Sequence, residues 1–141
     1  MGVAERIAFT LGLGIGFACS PRVVTAPEGR HAPGAFTEVP YPPPAALVEV
    51  VPRARPRGAV WVDGYWTWRG SYYVWQRGGW VLPPPESTFA PWRTKYTKQG
   101  QLLFAPGRWY GPDAQEIDPP DVVVPARTPP NQRTVETESA R

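Results

Sequence analysis

The sequence has very few of the side chains that catalysis and metal binding require. Among its 141 residues there is one cysteine, Cys19, and one histidine, His31. A single cysteine excludes an internal disulfide, and no cluster of residues has the composition of a zinc site. In the aromatic-rich middle of the chain the only carboxylates are Asp63 and Glu86, and nothing in the sequence pairs them. We therefore expect no catalytic residue, no metal site and no cofactor, and we expect that the protein is not an enzyme.

Helical periodicity and long apolar runs are missing too. No window repeats its apolar residues every 3.6 positions, and β-branched and aromatic residues dominate, which favours strands. The apolar stretch from Ile7 to Ala18 has 12 residues, whereas a bilayer span needs about 20. Its position after Arg6 is typical of a secretory signal, so residues 1–19 are predicted to direct export.

Cys19 directly follows this apolar stretch, in the sequence GFAC. The arrangement resembles the lipobox of bacterial lipoproteins, with Ala18 as the small residue before the cleavage point. The resemblance implies that Cys19 is lipidated and anchors the protein in a membrane, and that Ser20 directs it to the outer membrane, facing the periplasm. Signal cleavage near Ala18 without lipidation would instead give a soluble periplasmic protein, and an uncleaved anchor or a wrongly assigned start codon is a third alternative.

Proline and aromatic residues divide the rest of the chain into three segments. Residues 57–111 hold all seven tryptophans, whereas 20–56 holds nine prolines and 112–141 six prolines and no aromatic residue. We predict a folded domain over 57–111, a Pro-rich tether before it and a disordered acidic tail after it. Two apolar stretches, Ala45–Val51 and Val122–Val124, could each add a short strand.

Charge follows the same division. The central segment carries seven basic and two acidic residues, a net +5, and the tail carries six acidic and three basic residues, a net −3. A basic aromatic domain beside an acidic tail could bind polyanions, or the tail could fold back over the domain. Export argues against nucleic acid as a partner.

One seven-residue pattern occurs three times in the central segment: an apolar residue, an aromatic residue, two variable residues, glycine, one variable residue and tryptophan. The copies are Val60–Trp66, Val74–Trp80 and Leu103–Trp109. Their defining residues are Trp61, Gly64, Trp66, Trp75, Gly78, Trp80, Gly107 and Trp109. Turn sequences RGS and TKQG separate the aromatic runs, which predicts two hairpins. The predicted fold class is all-β, a small aromatic-rich antiparallel sheet of repeated hairpins flanked by disordered Pro-rich segments.

The repeat resembles that of a family of bacterial exported proteins with a YxWGxW- or WxxGxW-type motif. The residues that match are Trp61, Gly64 and Trp66 in the first copy, Trp75, Gly78 and Trp80 in the second, and Gly107 and Trp109 in the third. The resemblance implies a cell-envelope location and the layout of export signal, Pro-rich spacer and repeat. It implies no activity.

The crowded tryptophans have two interpretations. They could form the interior, because each aromatic side chain buries about 150–250 Å². Burial of apolar surface stabilises the fold by about 25 cal/mol per Å². Others could remain exposed beside arginines and bind a ligand; the candidate residues are Tyr65, Tyr72, Tyr73, Arg69, Arg77 and Arg93. The first interpretation predicts a non-catalytic structural or protein-interaction module. The second predicts an envelope protein that binds cell-wall glycan or exopolysaccharide.

Overall fold

The computed structural model describes residues 22–130, and most of the elements in this range are short strands. The elements are a 3-10 helix, Pro33–Ala35, and strands β1 Thr37–Glu38, β2 Val60–Val62, β3 Tyr65–Trp68, β4 Tyr73–Gln76, β5 Gly79–Val81, β6 Thr88–Ala90, β7 Arg93–Tyr96, β8 Leu102–Ala105, β9 Arg108–Tyr110, β10 Glu116–Ile117 and β11 Val122–Pro125. The strands pair antiparallel. The prediction of an all-β fold built from antiparallel hairpins is confirmed.

Strands β2 to β5 form one long hairpin that is interrupted halfway. β3 pairs with β4 next to the turn, and β2 pairs with β5 farther from it. From the pair Val62 and Gly79, three steps along each strand lead to the pair Tyr65 and Gln76, so the register is continuous. Two residues on each strand therefore lie opposite each other without joining the ladder.

Strands β6 to β9 repeat this geometry. β7 pairs with β8 next to the turn, and β6 pairs with β9 farther from it. Three steps from the pair Ala90 and Arg108 lead to the pair Arg93 and Ala105, again with an interruption of two residues on each strand. The chain is thus built around two hairpins with the same interrupted ladder.

The interior consists of three clusters, and aromatic residues contribute to each. The first joins β3 and β4 to β8 through Val39, Trp66, Leu102 and Phe104, with Trp68, Tyr73, Trp75 and Trp92 packed around them. The second contains Ala59, Trp61, Trp80 and Ala126, and the third contains Val62, Val81, Phe89 and Trp109. Because the first and third clusters each draw on both hairpins, the hairpins are held together along their length.

Residues 22–41 do not form the predicted tether. Thr25 makes a parallel bridge to Trp61 and Glu28 a parallel bridge to Phe89, so this segment contacts both hairpins. Farther along, β1 pairs with β8. The contacts are main-chain hydrogen bonds, such as the Trp61 N–H to the Val24 carbonyl at 2.8 Å, and they need no large apolar side chain. The predicted start of the folded domain at residue 57, which was based on aromatic content, is therefore wrong.

The start of the predicted tail also joins the fold. β10 pairs with β9, and β11 pairs with β5 at the edge of the sheet β11-β5-β2. An edge strand can hold the proline at its end because one side of its backbone needs no partner. The apolar stretch before the domain contributes one bridge, between Val50 and Arg127. Residues 112–130 thus fold back over the domain, which was one of the two outcomes considered for the tail.

No helix within residues 22–130 has the length and apolar character of a membrane span. The predicted export signal, Cys19 and the last 11 residues of the predicted tail lie outside the described residues.

Candidate interaction surfaces

The tryptophans are mainly interior residues. Trp61, Trp66, Trp80 and Trp109 are 3–8% exposed, and Trp68, Trp75 and Trp92 are partly buried against the first cluster. Trp66 and Trp68 lie on the same face of β3, where they share that cluster with Tyr73 and Trp75 of β4. Exposed indole rings are therefore not the source of a binding surface.

The first two copies of the repeat are partners in one hairpin. Trp61, the first tryptophan of copy one, pairs with Trp80, the last of copy two, and Trp66 pairs with Trp75 in the same way. Both pairs meet edge to face, with ring centroids 5.5 Å and 5.0 Å apart. Such geometry contributes about 0.5–1.5 kcal/mol beyond burial. The seven-residue pattern is thus a spacing that brings two aromatic pairs into register on either side of the interruption.

The glycines lie in the interruption, where the two strands approach closely. A Cβ atom on Gly78 would lie 2.6 Å from the backbone nitrogen of Gly64 and 2.6 Å from the carbonyl oxygen of Val62. A Cβ atom on Gly64 would meet the indole ring of Trp75. Any larger residue would force the strands apart, so the motif requires glycine for space rather than for an unusual φ angle.

Glu49 completes this interruption from outside the repeat. Its Oε2 accepts a hydrogen bond from the Gly78 N–H at 2.9 Å, and its Oε1 accepts one from Trp75 Nε1 at 3.1 Å. One carboxylate therefore satisfies a backbone donor and an indole donor that the interrupted ladder leaves unpaired. Glu49 could not be predicted as part of the repeat, because it lies in a segment whose composition is that of a tether.

The third copy lies on the returning strand of the second hairpin, as the second copy does in the first hairpin. Phe104 and Trp109 lie on β8 and β9, and Gly107 lies in the interruption between them. A Cβ atom on Gly107 would lie 2.7 Å from the ring of Phe89 and 3.0 Å from that of Tyr65. The partner strand carries no fourth copy, so Trp109 pairs with Phe89 rather than with a tryptophan.

Comparison with known families agrees with this geometry. The family described as WXXGXW repeat matches two copies, at residues 57–81 and 70–87. This chain is a WXXGXW repeat-containing protein. The matched residues cover the first hairpin and end before the second. The assignment of the third copy therefore depends on its sequence pattern and its position in the fold. No curated protein and no solved structure matches the chain.

The six residues proposed for ligand binding do not form one site in this repeat protein. Tyr65 packs against Phe89 with ring centroids 5.8 Å apart, and burial raises its pKa above the ordinary value. Burial, with a smaller contribution from Tyr41, also raises the pKa of Tyr73, which packs on Trp68.

Of the three arginines in that set, Arg93 forms an ion pair with Glu28 at 2.9 Å. Arg77 lies 3.5 Å from the hydroxyl of Thr128, and with Tyr65 it lines a cleft of about 270 Å³. Arg69 lies in the turn of the first hairpin, next to Tyr72. The structure therefore keeps only Arg69 and Tyr72 together as an exposed basic and aromatic pair.

Exposed tyrosines gather at the turn end of the domain. We call the group Tyr41, Tyr72 and Tyr96 the tyrosine tip; these residues are 44%, 57% and 69% exposed. Tyr72 lies in the turn of the first hairpin, and Tyr96 ends β7 just before the turn of the second. Tyr41 lies against the first turn, because its hydroxyl donates to the Ser71 carbonyl at 2.6 Å. Two residues earlier, Val39 donates its N–H to the carbonyl of Leu102, the first residue after the second turn.

A second surface, which we call the arginine cleft, lies at the opposite end of the first hairpin. Its volume is about 580 Å³, and its lining includes Trp80, Arg22, Arg53 and Arg55. Trp80 pairs with Trp61 on β2, seven residues before Trp68 at the end of β3. At about 3.3 Å per residue, the cleft and the tyrosine tip are on the order of 20 Å apart along the strands.

Proposed function

We propose that this WXXGXW repeat-containing protein is a cell-envelope lipoprotein whose β-domain is a non-catalytic interaction module. The observation that carries the proposal is the division of aromatic residues between interior and surface. The most buried tryptophans hold the hairpins together, whereas Tyr41, Tyr72 and Tyr96 are exposed in or beside the hairpin turns. A surface that repeats one aromatic residue type at the end of a rigid scaffold is typical of an interaction site.

The tyrosine tip has the chemistry of a protein-binding surface. Tyrosine supplies a large amphipathic contact area and has few rotatable bonds, so ordering it costs little entropy. Arg69 lies in the same turn as Tyr72, and Lys98 lies in the turn that follows Tyr96, so both turns carry an exposed basic residue as well as tyrosine. We therefore propose that the partner is an envelope protein that presents acidic side chains around an apolar contact.

The proposed anchor places the domain close to a membrane. The Val24 carbonyl already accepts a hydrogen bond from Trp61, so only residues 20–23 separate Cys19 from the fold. The five residue-to-residue steps from Cys19 to Val24 span at most about 18 Å. A lipid on Cys19 would hold the protein at the outer membrane, facing the periplasm, without the long spacer that the sequence had indicated.

Site-specific photo-crosslinking in cells that export the protein tests the interaction surface. A photoreactive phenylalanine derivative replaces Tyr72 or Tyr96 in two variants, and replaces Leu82, which is 50% exposed outside the tip, in a matched control. We expect the same discrete protein adduct from both tip positions and no such adduct from position 82. Absence of the adduct at both tip positions, with exported and folded protein, contradicts the proposal.

Glycan binding is the second candidate, and the pair Arg69 and Tyr72 favours it. Both side chains are exposed and their backbones are hydrogen-bonded across the turn, so the tyrosine ring could stack on a sugar while the guanidinium binds its acidic substituent. Trp68 contacts Tyr41 with ring centroids 5.4 Å apart, so a ligand on the tip would alter tryptophan fluorescence. A saturable fluorescence change with exopolysaccharide fragments, abolished by Tyr72→Ala, would favour glycan over protein.

A further inference from the structure

The arginine cleft has an excess of cationic hydrogen-bond donors. Its lining consists of Arg22, Arg53 and Arg55 together with the apolar residues Val23, Val24, Val51, Pro52 and Trp80. No lining residue carries a carboxylate, an amide or a hydroxyl group. Within residues 22–130 the recorded ion pairs are Arg93 with Glu28 and Arg108 with Glu116, so neither involves a cleft arginine. The cleft therefore presents unneutralised positive charge.

Arg55 is already positioned for an anion. Its Nε donates to the Ala59 carbonyl at 2.8 Å, and its guanidinium lies 5.7 Å from the ring centroid of Trp80. Because the main-chain bond uses Nε and the Arg55 side chain is exposed, the two terminal nitrogens are available to an oxyanion. Trp80 itself is held by a hydrogen bond from Nε1 to the Pro52 carbonyl at 3.0 Å. The Trp80 ring and the Arg55 guanidinium are thus held in place before a ligand binds.

The lining distinguishes between classes of anion. A saccharide presents many hydroxyl groups, and these need acceptors as well as donors, but arginine has five donors and no acceptor. A phosphate group needs donors only and is well matched by guanidinium. Val23 and Val24 at the rim are 39% and 42% exposed, which suits the boundary between headgroups and acyl chains. Both features fit a phospholipid better than a sugar.

We infer that the arginine cleft binds the phosphate headgroups of anionic phospholipids and docks this end of the domain on a membrane surface. The inference deepens the proposed function, on which its envelope location rests. Arg22 follows the proposed anchor Cys19 by three residues, so the anchor would deliver the cleft to the lipid surface. The tyrosine tip, at the other end of the first hairpin, would then face away from that surface.

Vesicle binding tests this inference without the anchor. Residues 20–141 contain all of the described residues and lack Cys19. This protein is mixed with vesicles of phosphatidylcholine alone, or of phosphatidylcholine with phosphatidylglycerol, and the bound fraction is measured by cosedimentation at low and high salt. We expect binding to the anionic vesicles only, and we expect high salt to weaken it.

Charge-matched variants locate the site. Arg53→Gln with Arg55→Gln is expected to weaken binding to anionic vesicles about 25-fold, at about fivefold per arginine. Arg30→Gln with Arg77→Gln removes the same charge from exposed positions outside the cleft and is expected to leave binding nearly unchanged. Val23→Ser with Val24→Ser is expected to weaken binding with no change in charge. Near-ultraviolet circular dichroism confirms that each variant is folded, and Arg22→Gln, with an expected loss of about fivefold, replaces any pair that unfolds.

Four results would overturn the inference. They are no binding to either vesicle, equal binding to neutral and anionic vesicles, equal losses in the two double-arginine variants, and displacement from vesicles by a carboxylated oligosaccharide that itself binds in the cleft. Because the protein tested lacks Cys19, a negative result leaves the anchor proposal standing. Conversely, an unmodified Cys19 in cells leaves the vesicle result unaffected.

Discussion

The carboxylate of Glu49 accepts a hydrogen bond from the backbone N–H of Gly78, at 2.9 Å, in the interruption between the two WXXGXW copies. The same carboxylate also accepts the indole hydrogen of Trp75. A residue 29 positions upstream in the sequence therefore completes the repeat. The repeat consequently does not contain acceptors for all of its own hydrogen-bond donors. The segment that precedes it is therefore part of the same folding unit.

Glu49→Ala is expected to destabilise the domain by about 1–3 kcal/mol, because two donors lose their acceptor. Glu49→Gln keeps one acceptor oxygen and should cost less. The free energy of unfolding from urea titration, followed by tryptophan fluorescence, measures both. The exposed Asp118→Ala is the matched loss of a carboxylate, and a cost as large as that of Glu49→Ala would contradict the assignment.

Gly78→Ala is expected to cost about 1–3 kcal/mol, because the new methyl group overlaps the backbone at Gly64 and Val62. Backbone atoms in a paired region cannot move as easily as the end of a flexible side chain. Gly34→Ala is the control, since a Cβ atom there meets nothing within 4 Å. Thermal unfolding compares the two, and equal melting temperatures for them would mean that the motif does not need glycine for space.

Trp80→Phe should be more harmful than Trp66→Phe, although both residues are buried. Trp80 Nε1 donates to the Pro52 carbonyl at 3.0 Å, whereas Trp66 Nε1 is buried without a hydrogen-bond partner. Replacing Trp66 therefore removes an unsatisfied donor, and replacing Trp80 leaves a carbonyl without its donor. We expect a difference of about 1 kcal/mol in the free energy of unfolding. A larger loss for Trp66→Phe would reverse the interpretation.

Alkaline pH is expected to weaken the fold through Tyr65. Burial raises the pKa of Tyr65 above its ordinary value of 10.0, so the folded state holds the phenolic proton more tightly than the unfolded chain. The contribution to stability is complete below pH 10 and falls as the pH rises further, because the unfolded chain ionises first. Urea midpoints on both sides of that pH measure the effect. Tyr65→Phe should reduce the loss of stability with rising pH more than the exposed Tyr72→Phe does.

Lipidation of Cys19 has its own test. The mature protein is expected to begin at Cys19 and to have the added mass of an acylated N-terminus. Cys19→Ser should move the protein from the membrane fraction to the soluble periplasmic fraction. Membrane recovery that does not change in the variant would argue against the anchor. Ser20→Ala is the matched control, because it leaves the cysteine and the cleavage site intact.

The hairpins and the strand faces could be predicted from the sequence, because both are local properties. The alternation of Trp66 and Trp68 with their neighbours assigns faces to β3, and the turn residues between aromatic runs locate both hairpins. The prediction that the tryptophans are interior residues also needed only their size and number. The pairing of copy one with copy two then follows once a hairpin joins them.

The candidate surfaces could be predicted only in part. Tyr72 and Arg69 lie in a predicted turn, so their exposure is a local property as well. The arginine cleft was not predicted, because its arginines come from both ends of a segment that sequence composition presents as a tether. Nothing in the local sequence indicates that Arg22 and Arg53 lie together.

The sequence by itself determined the class of fold, the repeat and its turns, since these depend on side-chain alternation and on residues close together in the chain. Only the tertiary structure decided the extent of the domain. Main-chain hydrogen bonds at strand edges bring residues 22–56 and 112–130 into the fold, and such bonds do not depend on side-chain type. A proline-rich segment with few aromatic residues can therefore be either a tether or an edge, and the available partner strands decide between them.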